Sequence, residues 1–264
     1  MRSIPERNLQ YPVLITDSDG GSGSGFYFQH NGKLFLVSAL HVLYNEGQLN
    51  SETITLLSYD KETKPGVLKK VLLKINLLEV PIRKNDIQDI VLVQIGKAIS
   101  RNDDTGISDI TYGKGVSKIS KDQSRIVVVP TEHLIKIDDV FIGNDVFIMG
   151  YPSSLGIQNA EQIDYERPLL RKGIVAGTND KMKTIILDCP VYFGNSGGIA
   201  IQVEYNEDGS NDQRVIGVVS QYVPFEDKLY SIKHRYVNTT RENSGYSIVV
   251  PMDSIFDLTT ETPK

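Results

Sequence analysis

The chain has a single cysteine, Cys189, in 264 residues, so no disulfide can close within it. That scarcity fits a reducing compartment. No stretch reaches the roughly 18 consecutive apolar residues that a membrane-spanning helix needs. No block of lysines and arginines is present either, and a formal net charge of -5 offers no footprint for nucleic acid. The opening residues, Met1-Arg-Ser-Ile-Pro-Glu-Arg-Asn8, lack the apolar core of a secretory signal. These absences predict a cytoplasmic protein with neither nucleic-acid nor membrane partners. With 40% hydrophobic and 23% charged residues, the composition is that of a soluble globular chain. Its length allows one large core or two smaller ones.

What is present in abundance is the short apolar run. Residues 11–16, 26–30, 33–38, 54–59, 66–68, 71–80 and 90–95 are rich in Val, Ile, Leu and Thr, which favour a pleated, half-buried surface. Similar runs recur at 125–130, 140–142, 145–150, 171–177, 184–187, 199–205 and 215–220. Asn31-Gly32 between two of them is a hairpin signal. Residues 98–115 are polar and read as a linker or surface excursion. A helix is expected only near the end, over 252–258 after Pro251. Many short strands with few helices predict an all-β fold built from barrels or sandwiches.

One stretch carries chemistry: Val191-Tyr192-Phe193-Gly194-Asn195-Ser196-Gly197-Gly198. Glycines let the backbone turn tightly and aim its N–H groups at one point. A serine hydroxyl attacks a carbonyl only if a base takes its proton and N–H donors hold the oxyanion. The same residues also read as an ordinary glycine-rich turn, or as the G-x-S-x-G elbow of α/β-hydrolases. The elbow requires a following helix and a late histidine. Here a strand-like run follows, and the only later histidine, His234, lies in a polar, charged segment. Cys189, at the end of a strand-like run, reads as a buried structural thiol and not as the nucleophile.

The base and its partner lie upstream. His41 stands at the end of an apolar strand, in Val37-Ser-Ala-Leu-His41-Val. Asp89 opens the run Ile90-Val-Leu-Val, and a carboxylate there needs a hydrogen-bonding partner, which an imidazole can supply. His41, Asp89 and Ser196 occur in the order of a Ser-His-Asp triad, whose serine attacks, whose histidine moves the proton and whose carboxylate fixes the imidazole.

With these residues the chain resembles the trypsin- and chymotrypsin-like serine peptidases, and among them the disulfide-poor bacterial HtrA-like members. The matching pieces are Gly23-Ser-Gly-Phe26, the His41 and Asp89 motifs, Gly150-Tyr-Pro152, Gly194-Asn-Ser-Gly-Gly198, Val215-Ile-Gly-Val-Val-Ser220 and Gly245-Tyr-Ser-Ile-Val-Val-Pro251. Ile199 and Leu40 depart from the family's usual Pro and Ala, residues 98–130 match nothing in it, and no room remains for a PDZ domain.

The resemblance implies two six-stranded antiparallel β-barrels, over 1–128 and 129–264, with a short C-terminal helix. His41 and Asp89 would come from the first barrel and Ser196 from the second. The N–H groups of Gly194 and Ser196 would form the oxyanion hole. Ser220, Gln221 and Tyr222 would lie along the substrate, and Pro190, Val191, Tyr192, Phe193 and Gly245 would line the pocket before the scissile bond. No cofactor and no metal are implied. The expected function is serine endopeptidase, with protein or peptide substrates and room for an activating partner or oligomer contact. A silent peptide-binding module and an esterase or acyl-transfer enzyme are the alternatives. Asn195 stands where zymogen-activated members carry aspartate, so no buried carboxylate awaits a new terminal amine, and the intact chain is the expected functional form.

Overall fold

The computed structural model describes residues 4–60, 69–102, 107–121, 124–153, 160–231, 233 and 235–260. The expected run at 66–68, and His234, lie outside them. After a 3-10 turn, Glu6–Gln10, the first half of the chain supplies β1 (Pro12–Asp17), β2 (Ser22–His30), β3 (Lys33–Ala39), the one-turn helix α1 (Leu40–Leu43), β4 (Tyr44–Asn45), β5 (Gln48–Leu49), β6 (Thr53–Tyr59) and β7 (Lys70–Asn76). It continues with β8 (Ile82–Asn85), β9 (Ile90–Asn102), β10 (Ile107–Tyr112), β11 (Val116–Lys118) and β12 (Val128–Val129). The second half supplies β13 (Asp145–Gly150), β14 (Leu169–Asn179), β15 (Thr184–Asp188), β16 (Ile199–Tyr205), β17 (Asn211–Ser231), β18 (Tyr236–Pro251) and α2 (Met252–Thr260).

Both halves are β-sheets, as the run of short apolar segments predicts. The second closes into a six-stranded barrel in the order β13-β14-β15-β18-β17-β16. The first is larger than the six strands expected. It is a ten-stranded sheet that follows the open path β10-β9-β3-β2-β1-β6-β7-β11 and is completed by β12, parallel to β2, and β8, beside β9. One of the extra strands, β10, lies where a linker was predicted: β9 continues to Asn102 and pairs antiparallel with β10 from Ile107 to Tyr112. Ile110 and Tyr112 of β10 pack against the core of the first sheet, and backbone pairing holds β10 at the sheet's edge. The expected strand at 140–142 is also absent. Phe141 and Ile142 are exposed in a turn, because the barrel's first strand starts only at Asp145.

Asn31 and Gly32 both take positive φ, 49° and 71°, and close the β2–β3 hairpin. Each sheet buries its own interior, around Leu36, Leu56 and Val93 in the first and around Val146, Leu187 and Val249 in the second. A third apolar cluster joins the halves. Phe26, Phe28, Val37 and Leu92 from the first meet Phe147, Met149, Ile199 and Val218 from the second, with Met252, Ile255 and Leu258 of α2. The strand ends carrying His41, Asp89 and Ser196 are thereby held across this seam.

Candidate active site

His41 occupies α1, which begins where β3 ends. Its Nδ1 lies 3.0 Å from Oδ1 and 2.8 Å from Oδ2 of Asp89. The backbone strengthens this pairing. The His41 N–H donates to Asp89 Oδ1 at 3.0 Å, and the Leu40 N–H donates to the Asp89 carbonyl at 3.0 Å. Asp89 itself sits at φ 53°, in the left-handed region that Asp tolerates better than most residues. Asp86, the other acid before β9, pairs instead with Lys84 at 2.8 Å in an exposed position.

Asp89 has another partner that sequence reasoning missed. Ser220 Oγ donates to its Oδ2 at 2.5 Å. Burial pushes the Asp89 carboxyl up, but the bonds from His41 and Ser220 outweigh burial and hold it below the usual carboxylate range. A carboxylate kept ionised here accepts the Nδ1 proton, which leaves Nε2 as the free ring nitrogen of a neutral His41.

The nucleophile loop is set by two glycines. Gly194 takes φ +92°, and a β-carbon there would lie 2.2 Å from the Tyr151 carbonyl oxygen. Gly197 takes φ +83°, and its β-carbon would lie 2.0 Å from the Ser24 carbonyl oxygen. Hydrogen bonds fix the rest. Ser24 Oγ donates to the Gly194 carbonyl at 2.6 Å and accepts from the Tyr151 N–H at 2.8 Å. The Ser24 N–H donates to the Ser196 carbonyl at 2.8 Å. Asn195 is buried, and its Oδ1 accepts the Tyr192 N–H at 3.0 Å, so an uncharged amide ties the loop to itself.

Peptide planarity orients two donors. The Phe193 carbonyl accepts from the Ser153 N–H at 2.6 Å, and the Asn195 carbonyl accepts from the Gly198 N–H at 2.9 Å. Every peptide bond described is trans, so the N–H groups of Gly194 and Ser196 face away from those partners. Neither N–H meets an acceptor among the described residues.

His41, Asp89, Val191, Tyr192, Phe193, Ser196, Ser220, Gln221 and Tyr222 border one cleft of about 410 Å³. Pro190 and Gly245 are not among the residues bordering it. Near them Asn243 Nδ2 donates to the Val191 carbonyl at 2.6 Å, and Asn243 Oδ1 accepts the Gly245 N–H at 2.9 Å. Ser196 Oγ donates to the Ser220 carbonyl at 3.0 Å and not to His41. Cys189 is buried, and burial pushes its thiol up to about 11, which suits a packing role. No cluster of metal-ligating side chains occurs among the described residues.

Comparison with known proteins places the fold. Residues 23–207 match the trypsin-like peptidase domain. Solved structures of the same fold include Deg5, at 16% identity and a TM-score of 0.51, covering 97% of this chain and 95% of that one. Human heparin binding protein aligns at 12% identity and a TM-score of 0.54, covering 100% and 97%. The HtrA-type protease AlgW with a tripeptide aligns at 13% identity and a TM-score of 0.49, covering 97% of this chain and 62% of that one. A search of curated protein sequences gave no significant match. The domain match spans most of the chain and includes His41, Asp89 and Ser196: the protein belongs to the trypsin-like peptidase domain family.

Proposed function

We propose that this protein is a serine endopeptidase that hydrolyses peptide bonds of protein substrates through an acyl-enzyme on Ser196. One observation carries the reading: His41, bonded through Nδ1 to both carboxylate oxygens of Asp89, shares a cleft with Ser196. Ser196 Oγ attacks the scissile carbonyl while His41 Nε2 accepts its proton and returns it to the leaving amine. Asp89 keeps the imidazole in the required tautomer and stabilises its cation. The N–H groups of Gly194 and Ser196 hold the oxyanion. Ser220, Gln221 and Tyr222 offer a strand edge to the substrate backbone. Val191, Tyr192 and Phe193 wall the pocket before the scissile bond, with Pro190 and Gly245 behind them. These three side chains carry no charge, and the neighbouring Asp188 is exposed between buried Leu187 and Cys189, so the pocket takes small or medium apolar residues. We place the protein in the cytoplasm, where its lone thiol stays reduced.

The Ser196 hydroxyl must leave the Ser220 carbonyl to meet His41. That rotation favours a second reading, a peptide-binding module of the same fold that never turns over. A fluorophosphonate probe separates the two. The first predicts labelling of wild type and none of Ser196→Ala; an unlabelled wild type that still binds peptides supports the second. Comparing peptide with ester substrates then distinguishes a protease from an acyl-transfer enzyme.

A further inference from the structure

β17 borders the cleft and then leaves the barrel. It pairs with β16 only as far as Val218, whereas its pairing with β18 continues to Ser231↔Tyr236. From Ser220 outward, one edge of β17 is therefore unpaired among the described residues. The first part of that edge, Ser220 to Tyr222, borders the cleft with His41 and Ser196. The rest belongs to a two-stranded arm, 224–231 paired with 236–243, exposed at nearly every described position. The root of the arm is tied to the cleft wall by Asn243 Nδ2 donating to the Val191 carbonyl, and Ser244 Oγ donates to the Val223 carbonyl.

The outer part of this arm has a distinct chemistry. Between 228 and 241 there are four Lys or Arg residues and no acid, on a chain of net charge -5. Arg241 is paired with Glu226, but Lys228, Lys233 and Arg235 make no ion pair with any described residue. Phe225, Leu229, Tyr230, Tyr236 and Val237 are each more than half exposed along the same ribbon. Isolated two-stranded ribbons are marginal in water, and large apolar side chains held out on one mark an interaction surface.

We infer that the arm is an exosite for extended, acidic and apolar polypeptide N-terminal to the cleaved bond. The inference rests on reading the cleft as a peptide site. A strand added antiparallel to β17 at Ser220–Tyr222 runs, towards its own N-terminus, out along the arm. Pro224 lacks an N–H, and the β17–β18 register shifts between Tyr222 and Pro224, so the added strand leaves the ladder there and regains contact from Phe225 on. At about 3.3 Å per residue, roughly ten substrate residues span the cleft and the arm. Short substrates sense only the cleft, and longer acidic chains also meet the cationic tip.

Binding to the Ser196→Ala protein tests this without turnover, so its outcome is separate from that of fluorophosphonate labelling. The probes are fluorescein-labelled peptides of alternating glutamate and leucine, or lysine and leucine, long enough to reach the tip. The glutamate peptide should bind roughly tenfold more tightly, and Lys228→Glu with Lys233→Glu and Arg235→Glu should abolish that preference. Replacing 226–241 by Asn-Gly, which joins the facing pair Phe225 and Glu242, should do the same. Should the shortened chain fail to fold, the charge reversals, all on exposed side chains, still decide the matter. Equal binding of both peptides, or a preference that survives the reversals, would overturn the exosite. So would arm-dependent binding to phosphatidylserine vesicles without peptide discrimination, or arm-dependent self-association in sedimentation.

Discussion

Gly197 and Gly245 carry nearly the same backbone angle, φ +83° and +89°, in opposite surroundings. A β-carbon on Gly197 would lie 2.0 Å from the Ser24 carbonyl oxygen and 2.3 Å from Ser38 Oγ, while one on Gly245 would meet nothing within 4 Å. The first glycine belongs to the nucleophile loop, where hydrogen bonds from Ser24 and Ser153 leave little room for adjustment. The second stands at the root of the arm, where the ribbon leaves the barrel. Strand β17 serves both regions. Its inner part is packed against the loop and supplies the Ser220 carbonyl and hydroxyl, and its outer part is left open. The difference teaches that chemistry here depends on positions that cannot move, whereas partner reading is assigned to positions that touch almost nothing.

The largest expected contrast is between Asp89 and Asp86. Asparagine tolerates the left-handed φ of position 89, so Asp89→Asn tests the charge and not the backbone. It should lower kcat by about four orders of magnitude, the effect known when a triad aspartate is replaced. Asp86→Asn, which loses only an exposed contact with Lys84, should change kcat less than about twofold. Steady-state kinetics on one peptide substrate checks both, and a crippling Asp86 change would reverse the assignment.

Next comes the glycine pair. Gly197→Ala should destabilise the fold by about 2–4 kcal/mol, combining overpacking with the wrong φ. Gly245→Ala meets only the φ penalty, about 1 kcal/mol. Chemical denaturation of the two variants measures the gap; equal losses would mean that the loop is not tightly held.

A smaller effect concerns Ser220. Ser220→Ala removes one charge-assisted bond to Asp89, and kcat should fall on the order of tenfold, with KM little changed. A fall confined to KM would place Ser220 in substrate binding alone.

The smallest effect is in acid stability. The folded Asp89 carboxyl titrates below its ordinary value of about 3.9. Its contribution is fully present above that value and is lost as pH falls through the lower folded one. Below about pH 4, therefore, wild type should lose stability more steeply than Asp89→Asn. Parallel loss in urea titrations would contradict a bonded, ionised Asp89.

Much of this was legible because burial writes a pattern. The runs that became β3, β9 and β16 are apolar, bounded by turn residues, and adjoin His41, Asp89 and the serine loop. The arm left no such trace. Its residues alternate charge, aromatic and hydroxyl without a buried face, so nothing in 224–243 announces a strand. The pairing of β9 with β10 escaped because 98–115 is polar overall, although Ile110 and Tyr112 pack on the first core. Ser220 was expected only along the substrate and Ser24 only as part of a glycine motif, because a hydroxyl's partner is a matter of distance across the fold: 170 residues separate Ser24 from Gly194, and 131 separate Ser220 from Asp89. The Asn243 amide that reaches Val191 was equally hidden, because it comes from the unforeseen arm.

The central claim is that His41 and Asp89 activate Ser196 in a cleft ready to hold an oxyanion. Intact-mass analysis after reaction with a fluorophosphonate, followed by peptide mapping, tests it most directly. The account predicts one adduct per chain, located on Ser196, formed far more slowly in Asp89→Asn and absent in Ser196→Ala. A folded wild type that gains no adduct, or gains one elsewhere, would contradict it.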